Sequence, residues 1–250
     1  MLELARRDPV LPLQALLQPP AARFVGALLG KLLAFGYRLT GKDQYDDFLL
    51  ERVEGVPILV TPSVCNPKSM RTGAFFASRL NAGLVTPDQH VLDMGTGSGI
   101  CAVFAAKRGC RVVAVDINAA AVRCAAINAS LSDVAQKIEV RHGDLFAPVA
   151  GERFDLVLFN PPFLRGIPRN DRDRAWRSSD VAERFAAGLA AHLKPGGAAL
   201  VLLSSFGDAA GFFEQFRKYG FAVSLVAQRR FVNERLALFR LVSHAPGSSA

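Results

Sequence analysis

The apolar run FDLVLF (154–159) leads directly into Asn160, Pro161, Pro162 and Phe163. Proline fixes its own φ angle and restricts the residue before it, so two prolines make this strand exit rigid. The side-chain oxygen of Asn160 and the carbonyl oxygen of Pro161 can both accept hydrogen bonds, and Phe163 offers a flat face for stacking. A rigid strand-exit turn is the alternative interpretation. Two fixed acceptor oxygens beside a flat ring suit the binding and orientation of a planar group that donates hydrogen bonds.

A glycine-rich loop, DMGTGSGI (93–100), follows one predicted strand and opens a predicted helix. Glycine allows tight turns and close approach of a ligand, and a helix N-terminus faces the same place. The pattern is GxGxG, and Ile100 stands where the dinucleotide pattern has its third glycine. The carboxylate of Asp93 suits a cationic amino group better than a pyrophosphate. The predicted ligand contacts of this loop are Asp93, Gly95, Thr96, Gly97 and Gly99.

Two further aspartates follow the next two predicted strands, Asp116 in RVVAVDIN and Asp144 in HGDLF. We expect Asp116 to accept from ribose hydroxyls and Asp144 to accept from an adenine amino group. For either residue alone, a turn or a helix cap is the plain alternative. A ligand with an amino acid end, a ribose and an adenine but no phosphate is S-adenosyl-L-methionine. The predicted contacts of this cofactor also include Ile117, Leu145 and Asn160.

The segments VLDMGTGSGI, AVDIN, GDLF and FDLVLFNPPF stand in this order along the chain. Together they resemble a class I S-adenosylmethionine-dependent methyltransferase, over roughly residues 60–242. The NPPF motif is similar to that of the HemK-like protein-glutamine methyltransferases of release factors, and to that of amino-methylating DNA and RNA enzymes. The resemblance implies a seven-stranded sheet of order 3-2-1-4-5-7-6 and a catalytic group made of Asn160, Pro161 and Phe163. The upstream stretch 61–77 is similar to the lead-in to this fold, which would place Arg71, Thr72 and Gly73 at the active site.

Alternation of short β-rich runs with helical stretches predicts an α/β fold, a mostly parallel Rossmann-like sheet. The last two strands have no helix between them, so we expect the final strand to be antiparallel. KPGG (194–197) is predicted to be a turn that ends a helix before a strand begins. The seven predicted strands cover 90–95, 111–116, 137–143, 154–160, 197–205, 221–228 and 235–242, and the helices lie near 99–108, 118–130, 179–193 and 207–219.

The predicted domain organisation has three parts. A helical N-terminal cap covers residues 1–55, the methyltransferase domain covers 56–243, and a disordered tail covers 244–250. Within the second part we expect a strand at 56–60 and a connecting helix at 69–81. The arginine-rich stretch 164–180 is expected to be a long loop without regular structure, serving either as a solvated surface or as a lid over the acceptor.

Composition narrows the class of protein. Half of the 250 residues are apolar and 21% are charged, as in a compact globular chain, and the net charge of +8 favours an acidic partner. The 16-residue apolar stretch 24–39 carries two cations and is too short to span a membrane, so the expected location is the cytoplasm. Four scattered cysteines and four scattered histidines lack the spacing of metal ligands, and no metal site is predicted.

The resemblance implies N-methylation of a planar amino group. The first hypothesis for the acceptor is a glutamine side-chain amide of a release-factor-like protein. The alternatives are adenine N6 or guanine N2 in a nucleic acid, and a small molecule. A catalytically idle cofactor-binding scaffold is a further interpretation, which the intact NPPF acceptors disfavour.

Overall fold

The computed structural model describes residues 47–169, 171–232 and 234–243. Its strands are β1 (Leu49–Val53), β2 (Val56–Val60), β3 (His90–Met94), β4 (Arg111–Asp116), β5 (Ile138–His142), β6 (Phe154–Phe159), β7 (Leu164–Arg165), β8 (Arg177–Ser178), β9 (Leu193–Ser204), β10 (Phe221–Arg230) and β11 (Arg235–Ser243). Its α-helices are α1 (Thr72–Arg79), α2 (Ile100–Lys107), α3 (Ala119–Leu131), α4 (Asp171–Arg174), α5 (Val181–Leu189) and α6 (Ala209–Lys218). None of these helices is long and apolar enough to cross a membrane.

Seven strands form the central sheet in the order β10-β11-β9-β6-β3-β4-β5. All neighbours pair in parallel except β11, which is antiparallel to both β9 and β10. The predicted mixed sheet, its strand order and its antiparallel final strand are therefore confirmed. The strand interiors read as continuous apolar runs because helices cover both faces. One face packs against rings such as Phe185 and Phe213, the other against residues such as Phe76 and Val103.

The strand order reverses between β3 and β6, the first and fourth strands of the parallel part. In such sheets the crevice beyond the carboxyl ends at this reversal is where ligands bind. The carboxyl ends of β3, β4 and β6 carry the glycine-rich loop, Asp116 and the NPPF motif. The topology thus gathers at one sheet edge residues that lie up to about 70 positions apart in the sequence.

The prediction that the helical cap extends through residue 55 is wrong for its last part, because Leu49–Val53 is strand β1. This strand pairs antiparallel with β2, in a register that sets Val53 opposite Val56. The two-residue turn between them has φ of 46° at Glu54 and 80° at Gly55, both in the left-handed region. Such a turn suits the right-handed twist of a hairpin, and glycine favours it. The rest of the predicted cap, residues 1–46, and the predicted tail 244–250 lie outside the described residues.

KPGG is not a turn before a strand but lies inside β9, which begins at Leu193. The register with β6 jumps from Phe154 opposite Leu193 to Leu156 opposite Ala198, so the extra residues bulge out of the ladder. Gly196 has φ of 77°, which the bulge requires. The preceding helix α5 ends at Leu189, earlier than predicted, and a short 3-10 turn follows it.

The stretch 164–180 is also more ordered than predicted. It contains β7, the single turn α4 and β8, and β7 pairs in parallel with β8. Arg165 lies 3.2 Å from a carboxylate oxygen of Glu183 and 3.4 Å from one of Asp208. These contacts tie the segment to the N-terminal ends of α5 and α6. The prediction missed this because two-residue strands have no recognisable sequence period.

Candidate functional site

A cleft of about 880 Å³ opens at the carboxyl ends of β3, β4 and β6. Its walls come from the glycine-rich loop, the ends of β4 and β5, the NPPF motif, the start of α1 and the segment 174–184. Of the predicted contacts, the cleft wall includes Gly95, Thr96, Gly97, Asp116, Ile117, Asp144, Leu145, Asn160, Pro161 and Phe163. Asp93 and Gly99 are not part of it. The structure therefore brings ten of the twelve predicted site residues to one cavity and places two behind its wall.

Two glycines of the glycine-rich loop, Gly97 and Gly99, have positive φ angles but different surroundings. Gly97 has φ of 55°, and a Cβ atom there would meet nothing within 4 Å, so this face of the loop is open. Gly99 has φ of 79° and precedes α2, and a Cβ atom there would lie 2.9 Å from the Cα of Ala125. Gly97 thus leaves room for a ligand beside the backbone, whereas Gly99 allows close packing of the loop on α3.

Asp93 supports the loop from behind. Its Oδ2 accepts from the hydroxyl of Thr96 at 2.6 Å and from the backbone N–H of Ala102 at 3.0 Å, and the residue is only 4% exposed. Burial raises the pKa of Asp93 to about 7, and the two hydrogen bonds oppose that rise. In this position the carboxylate fastens the loop to the first turn of α2. Its expected contact with a ligand amino group stays a prediction.

Asp116 lies at the end of β4 and faces the cleft. Its Oδ2 accepts from the N–H of Gly97 at 2.9 Å, and its Oδ1 accepts from the N–H of Asn118 at 2.8 Å. Burial raises the pKa of this carboxyl, and both backbone bonds lower it. The two bonds join the glycine-rich loop to the start of α3. A carboxylate has about four lone-pair directions, so further donors from a ligand still find room.

The neighbouring wall combines an exposed apolar side chain with a carboxylate. Ile117 is 40% exposed, and its carbonyl oxygen lies 2.9 Å from the ring nitrogen Nε2 of His142. Asp144 is partly exposed, and its Oδ2 accepts from Nη2 of Arg184 at 2.6 Å. Leu145, which follows Asp144, has φ of 47°. The pairing of Arg184 with Asp144 was not predicted, because 40 residues of sequence separate them.

The NPPF motif closes the other end of the cleft. Nδ2 of Asn160 donates to the hydroxyl of Thr72 at 3.4 Å, whereas Oδ1 of Asn160 is buried and has no partner within the described residues. Phe163 is buried, its carbonyl accepts from the N–H of Asp208 at 2.8 Å, and a Cβ at Gly207 would lie 2.5 Å from it. The backbone of Phe163 is therefore held in place and the Asn160 amide is bonded at one end, while Oδ1 of Asn160 has no partner among the described residues.

The stretch 61–77, which precedes β3, contributes some of its residues to the cleft wall. Thr72 and Gly73 line the cleft, as the likeness to the lead-in segment implied. Arg71 does not; its guanidinium stacks over the ring of Phe231 at 4.6 Å. Sequence reasoning missed Asn128, which is fully buried on α3.

The side chain of Asn128 bridges three segments. It accepts from the N–H of Leu59 at 2.7 Å and donates to the carbonyls of Leu59 at 2.6 Å and Ser98 at 2.8 Å. It thereby fastens the glycine-rich loop to α3 and to the β1–β2 hairpin. The available signal was a lone amide in the alanine-rich helix AAAVRCAAINASL.

Residues 65–227 match the family model of the methyltransferase small domain. The chain belongs to this family. It is an S-adenosylmethionine-dependent methyltransferase with the Rossmann-like sheet of that class.

Three curated relatives illustrate the range of acceptors. A Methanocaldococcus jannaschii protein, provisionally named a protein N5-glutamine methyltransferase, is 30% identical over 198 residues, covering 75% of this chain and 96% of that protein. The release factor glutamine methyltransferase of Cereibacter sphaeroides is 31% identical, covering 79% of this chain and 66% of the relative. The ribosomal RNA small subunit methyltransferase C of Alcanivorax borkumensis is 39% identical, covering 43% of this chain and 30% of the relative.

Among solved structures, the Thermus thermophilus 16S rRNA N2 G1207 methyltransferase in complex with AdoMet and guanosine aligns with a TM-score of 0.57. The sequences are 24% identical, and the alignment covers 78% of this chain and 50% of that one. At this identity the likeness shows the shared fold.

The residues of the cleft fit S-adenosylmethionine, the cofactor of this methyltransferase. The open face of Gly97, the spare lone pairs of Asp116 and the exposed side chain of Ile117 would receive its polar and aromatic parts. When bound, the cofactor supplies an electrophilic methyl carbon on a sulfonium. The residues of the cleft would orient the cofactor and the methyl acceptor relative to each other and exclude water from them.

Proposed function

We propose that this methyltransferase transfers a methyl group to the nitrogen of a planar NH2 group, and that the acceptor is a glutamine side-chain amide in a protein of the release-factor kind. The observation that carries the proposal is the buried Oδ1 of Asn160 beside the cleft, which has no hydrogen-bond partner among the residues that the structure describes. A buried acceptor atom without a donor is costly unless a ligand completes it. An NH2 group would do so.

The proposed roles follow from the positions of the three residues. Oδ1 of Asn160 and the carbonyl oxygen of Pro161 accept the two hydrogens of the NH2 group, which turns the nitrogen lone pair towards the methyl carbon. Phe163 stacks on the flat acceptor and restricts its tilt. As the bond between nitrogen and the methyl carbon forms, the bond between that carbon and sulfur would break, and the sulfur would leave as a neutral thioether. The nitrogen would then carry the positive charge, which both oxygens stabilise until a proton leaves to solvent. No general base has to act before the attack.

The proposed cofactor contacts are the residues of the other wall. Gly95, Thr96 and Gly97 pass along the cofactor, Asp116 accepts from its ribose, and Ile117 and Leu145 flank its adenine. Asp144 accepts from the adenine amino group. Asp93 acts on the amino acid end, with Gly99 keeping the loop in place, and Asn160 borders the methyl group.

A protein acceptor is supported by the length of the match with the archaeal relative, 96% of that protein, whose name specifies protein N5-glutamine. The release factor enzyme matches over most of this chain as well. The ribosomal RNA relative matches over only 43% of it. The four cysteines form no disulfide, as is usual in the reducing cytoplasm, where such an acceptor would be met.

A nucleobase amino group is the second candidate. The observation that favours it is the set of arginines in the cleft wall, namely Arg123, Arg174, Arg177 and Arg184. Cationic side chains around an active site suit a phosphate backbone, and binding would then weaken with rising salt. Arg184 pairs with Asp144 and Arg177 with Asp173, which reduces the positive charge that this set offers.

The test is transfer of a labelled methyl group from S-adenosylmethionine into fractionated cell extract, followed by protease or nuclease treatment of the product. We expect the label to survive nuclease, to be released by protease, and to appear as N5-methylglutamine after hydrolysis. Label in a methylated nucleobase would establish the second candidate. Transfer to neither kind of molecule would refute the proposed function. The Asn160→Ala variant in the same extract serves as the control for contaminating methyltransferases.

A further inference from the structure

The side-chain amide of Asn160 is engaged at one end only. Its Nδ2 lies 3.4 Å from Oγ1 of Thr72, a residue 88 positions earlier, and its Oδ1 has no partner in the part of the chain that the structure describes. The hydroxyl of Thr72 is buried at the wall of the same cleft. Two amide orientations, related by a half-turn of the side-chain torsion, would fill the same space but exchange donor and acceptor.

The place of Thr72 is fixed by its backbone. It is the first residue of α1, and Arg71 before it has φ of 62°, in the left-handed region that a non-glycine residue rarely adopts. Gly73 after it packs so closely that a Cβ would lie 2.7 Å from Cβ of Pro67. The N–H of Ala74 donates to the carbonyl of Pro67 at 3.1 Å. A strained backbone of this kind persists where its surroundings hold it, and it is frequent at functional sites.

We infer that Thr72 is a positioning residue, which accepts a hydrogen of Asn160 Nδ2 and so holds the plane of the amide with Oδ1 towards the acceptor NH2 group; the inference rests on the proposed transfer to such a group. In the opposite orientation Nδ2 would face the incoming NH2 group, donor against donor. When the acceptor is in place, the Thr72 hydroxyl, the Asn160 amide and the acceptor NH2 group are all hydrogen-bonded only if Oδ1 faces the acceptor. Thr72 therefore acts on the reaction through Asn160.

The first measurement needs no acceptor. In the ¹⁵N-labelled protein, the Asn160 side-chain NH2 signals are identified by their loss in Asn160→Asp, and their exchange with water is followed. We expect Thr72→Val, which keeps the shape and removes the hydroxyl, to speed this exchange by about tenfold through loss of the hydrogen bond. Thr72→Ser should leave it near the wild-type rate. Equal exchange in wild type and Thr72→Val would overturn the inference.

The second measurement is kinetic, with S-adenosylmethionine and the extract fraction that the wild type labels most strongly. We expect Thr72→Val to lower the maximal rate by about 10²-fold, since misplacement of a reacting group by a small distance has effects of this size. The half-saturating amounts of acceptor and cofactor should change by less than about threefold, because the hydroxyl adds to the rate and not to uniform binding. Thr72→Ser should recover most of the rate.

The matched control is Thr61→Val. Thr61 is a buried threonine outside the cleft wall, so the same chemical change there should leave the rate unaltered. Should Thr72→Val melt too low for assay, Thr72→Ala removes the hydroxyl with a smaller side chain and is compared with Thr72→Ser instead. A serine variant as slow as the valine or alanine variant would overturn the inference.

The two proposals fail in different ways. If the wild type labels no acceptor in the extract, the proposed function fails, while the exchange measurement still decides whether Thr72 holds the Asn160 amide. If the wild type methylates a glutamine amide or a nucleobase and Thr72→Val matches its rate, the positioning role fails and the proposed function stands.

Discussion

The two ends of the cleft differ in how completely they are bonded before any ligand arrives. At the cofactor end, Asp116 already accepts from Gly97 and Asn118, and Asp144 from Arg184. At the acceptor end, Asn160 presents a buried oxygen without a partner in the described part of the chain. The proposed cofactor end is thus stabilised by the protein itself, whereas the proposed acceptor end keeps an oxygen that a substrate would complete. The difference implies that substitutions at the cofactor end should alter cofactor affinity, whereas substitutions at the acceptor end should alter the rate of methyl transfer.

The largest effect is expected at the acceptor end, from Asn160→Ala. Removal of a hydrogen-bond acceptor that stabilises transition-state charge lowers the rate by about 10²- to 10³-fold. Cofactor affinity, measured by calorimetry, should change by less than about threefold, because Asn160 is proposed to border only the methyl group of the cofactor. A variant that methylates at a near wild-type rate would contradict the proposed role of Asn160, and with it the division between the two ends.

At the cofactor end, Asp116→Ala should weaken S-adenosylmethionine binding by about 10²-fold. The carboxylate would contribute charged hydrogen bonds to the ribose, and it holds Gly97 and Asn118 in place. Asp116→Asn keeps the size of the side chain and one acceptor oxygen, so its affinity for S-adenosylmethionine should lie between those of the wild type and Asp116→Ala. Titration calorimetry measures the affinity. Unchanged affinity in Asp116→Ala would show that this carboxylate does not bind the cofactor.

Much of the cofactor end could be predicted from the sequence because its contacts are local to one βαβ unit. The glycine pattern, Asp116 and Ile117 follow one another within 25 residues, and parallel strands bring their carboxyl ends to one edge. Asp93 was predicted at the correct strand end, but its side chain lies behind the loop, since sequence spacing fixes where a strand ends and not which neighbours a side chain meets.

The acceptor end is built from distant pieces, so less of it could be predicted. Thr72 meets Asn160 across 88 residues, and Arg165 reaches Asp208 across 43. Likewise, Leu49–Val53 was predicted as helix because its strand character comes from pairing with β2, and KPGG was predicted as a turn because its bulge depends on β6. Contacts of this kind are set by packing that no local pattern records.

A smaller effect, on stability, is expected from the buried carboxyl behind the loop. Folding raises the pKa of Asp93 from 3.8 to about 7, so the stability it contributes is present below about pH 4 and is lost as the pH rises through about 7. Asp93→Asn removes this titration and keeps an acceptor for Thr96 and Ala102. Between pH 5 and 7.5, the melting temperature of the wild type should fall by roughly 5 °C relative to the variant. Parallel melting curves would contradict the raised pKa.

The smallest effect should come from the ion pair between Asp144 and Arg184, because both side chains are nearly half exposed. If Arg184 only steadies Asp144 for the adenine amino group, Arg184→Met should weaken cofactor binding by about threefold in the wild type and not at all in Asp144→Asn. The coupling should shrink at high salt, where exposed charges are screened. Tighter binding by Arg184→Met would instead mean that the arginine competes with the cofactor for this carboxylate. The cofactor end would then share with the acceptor end a group that its ligand must complete.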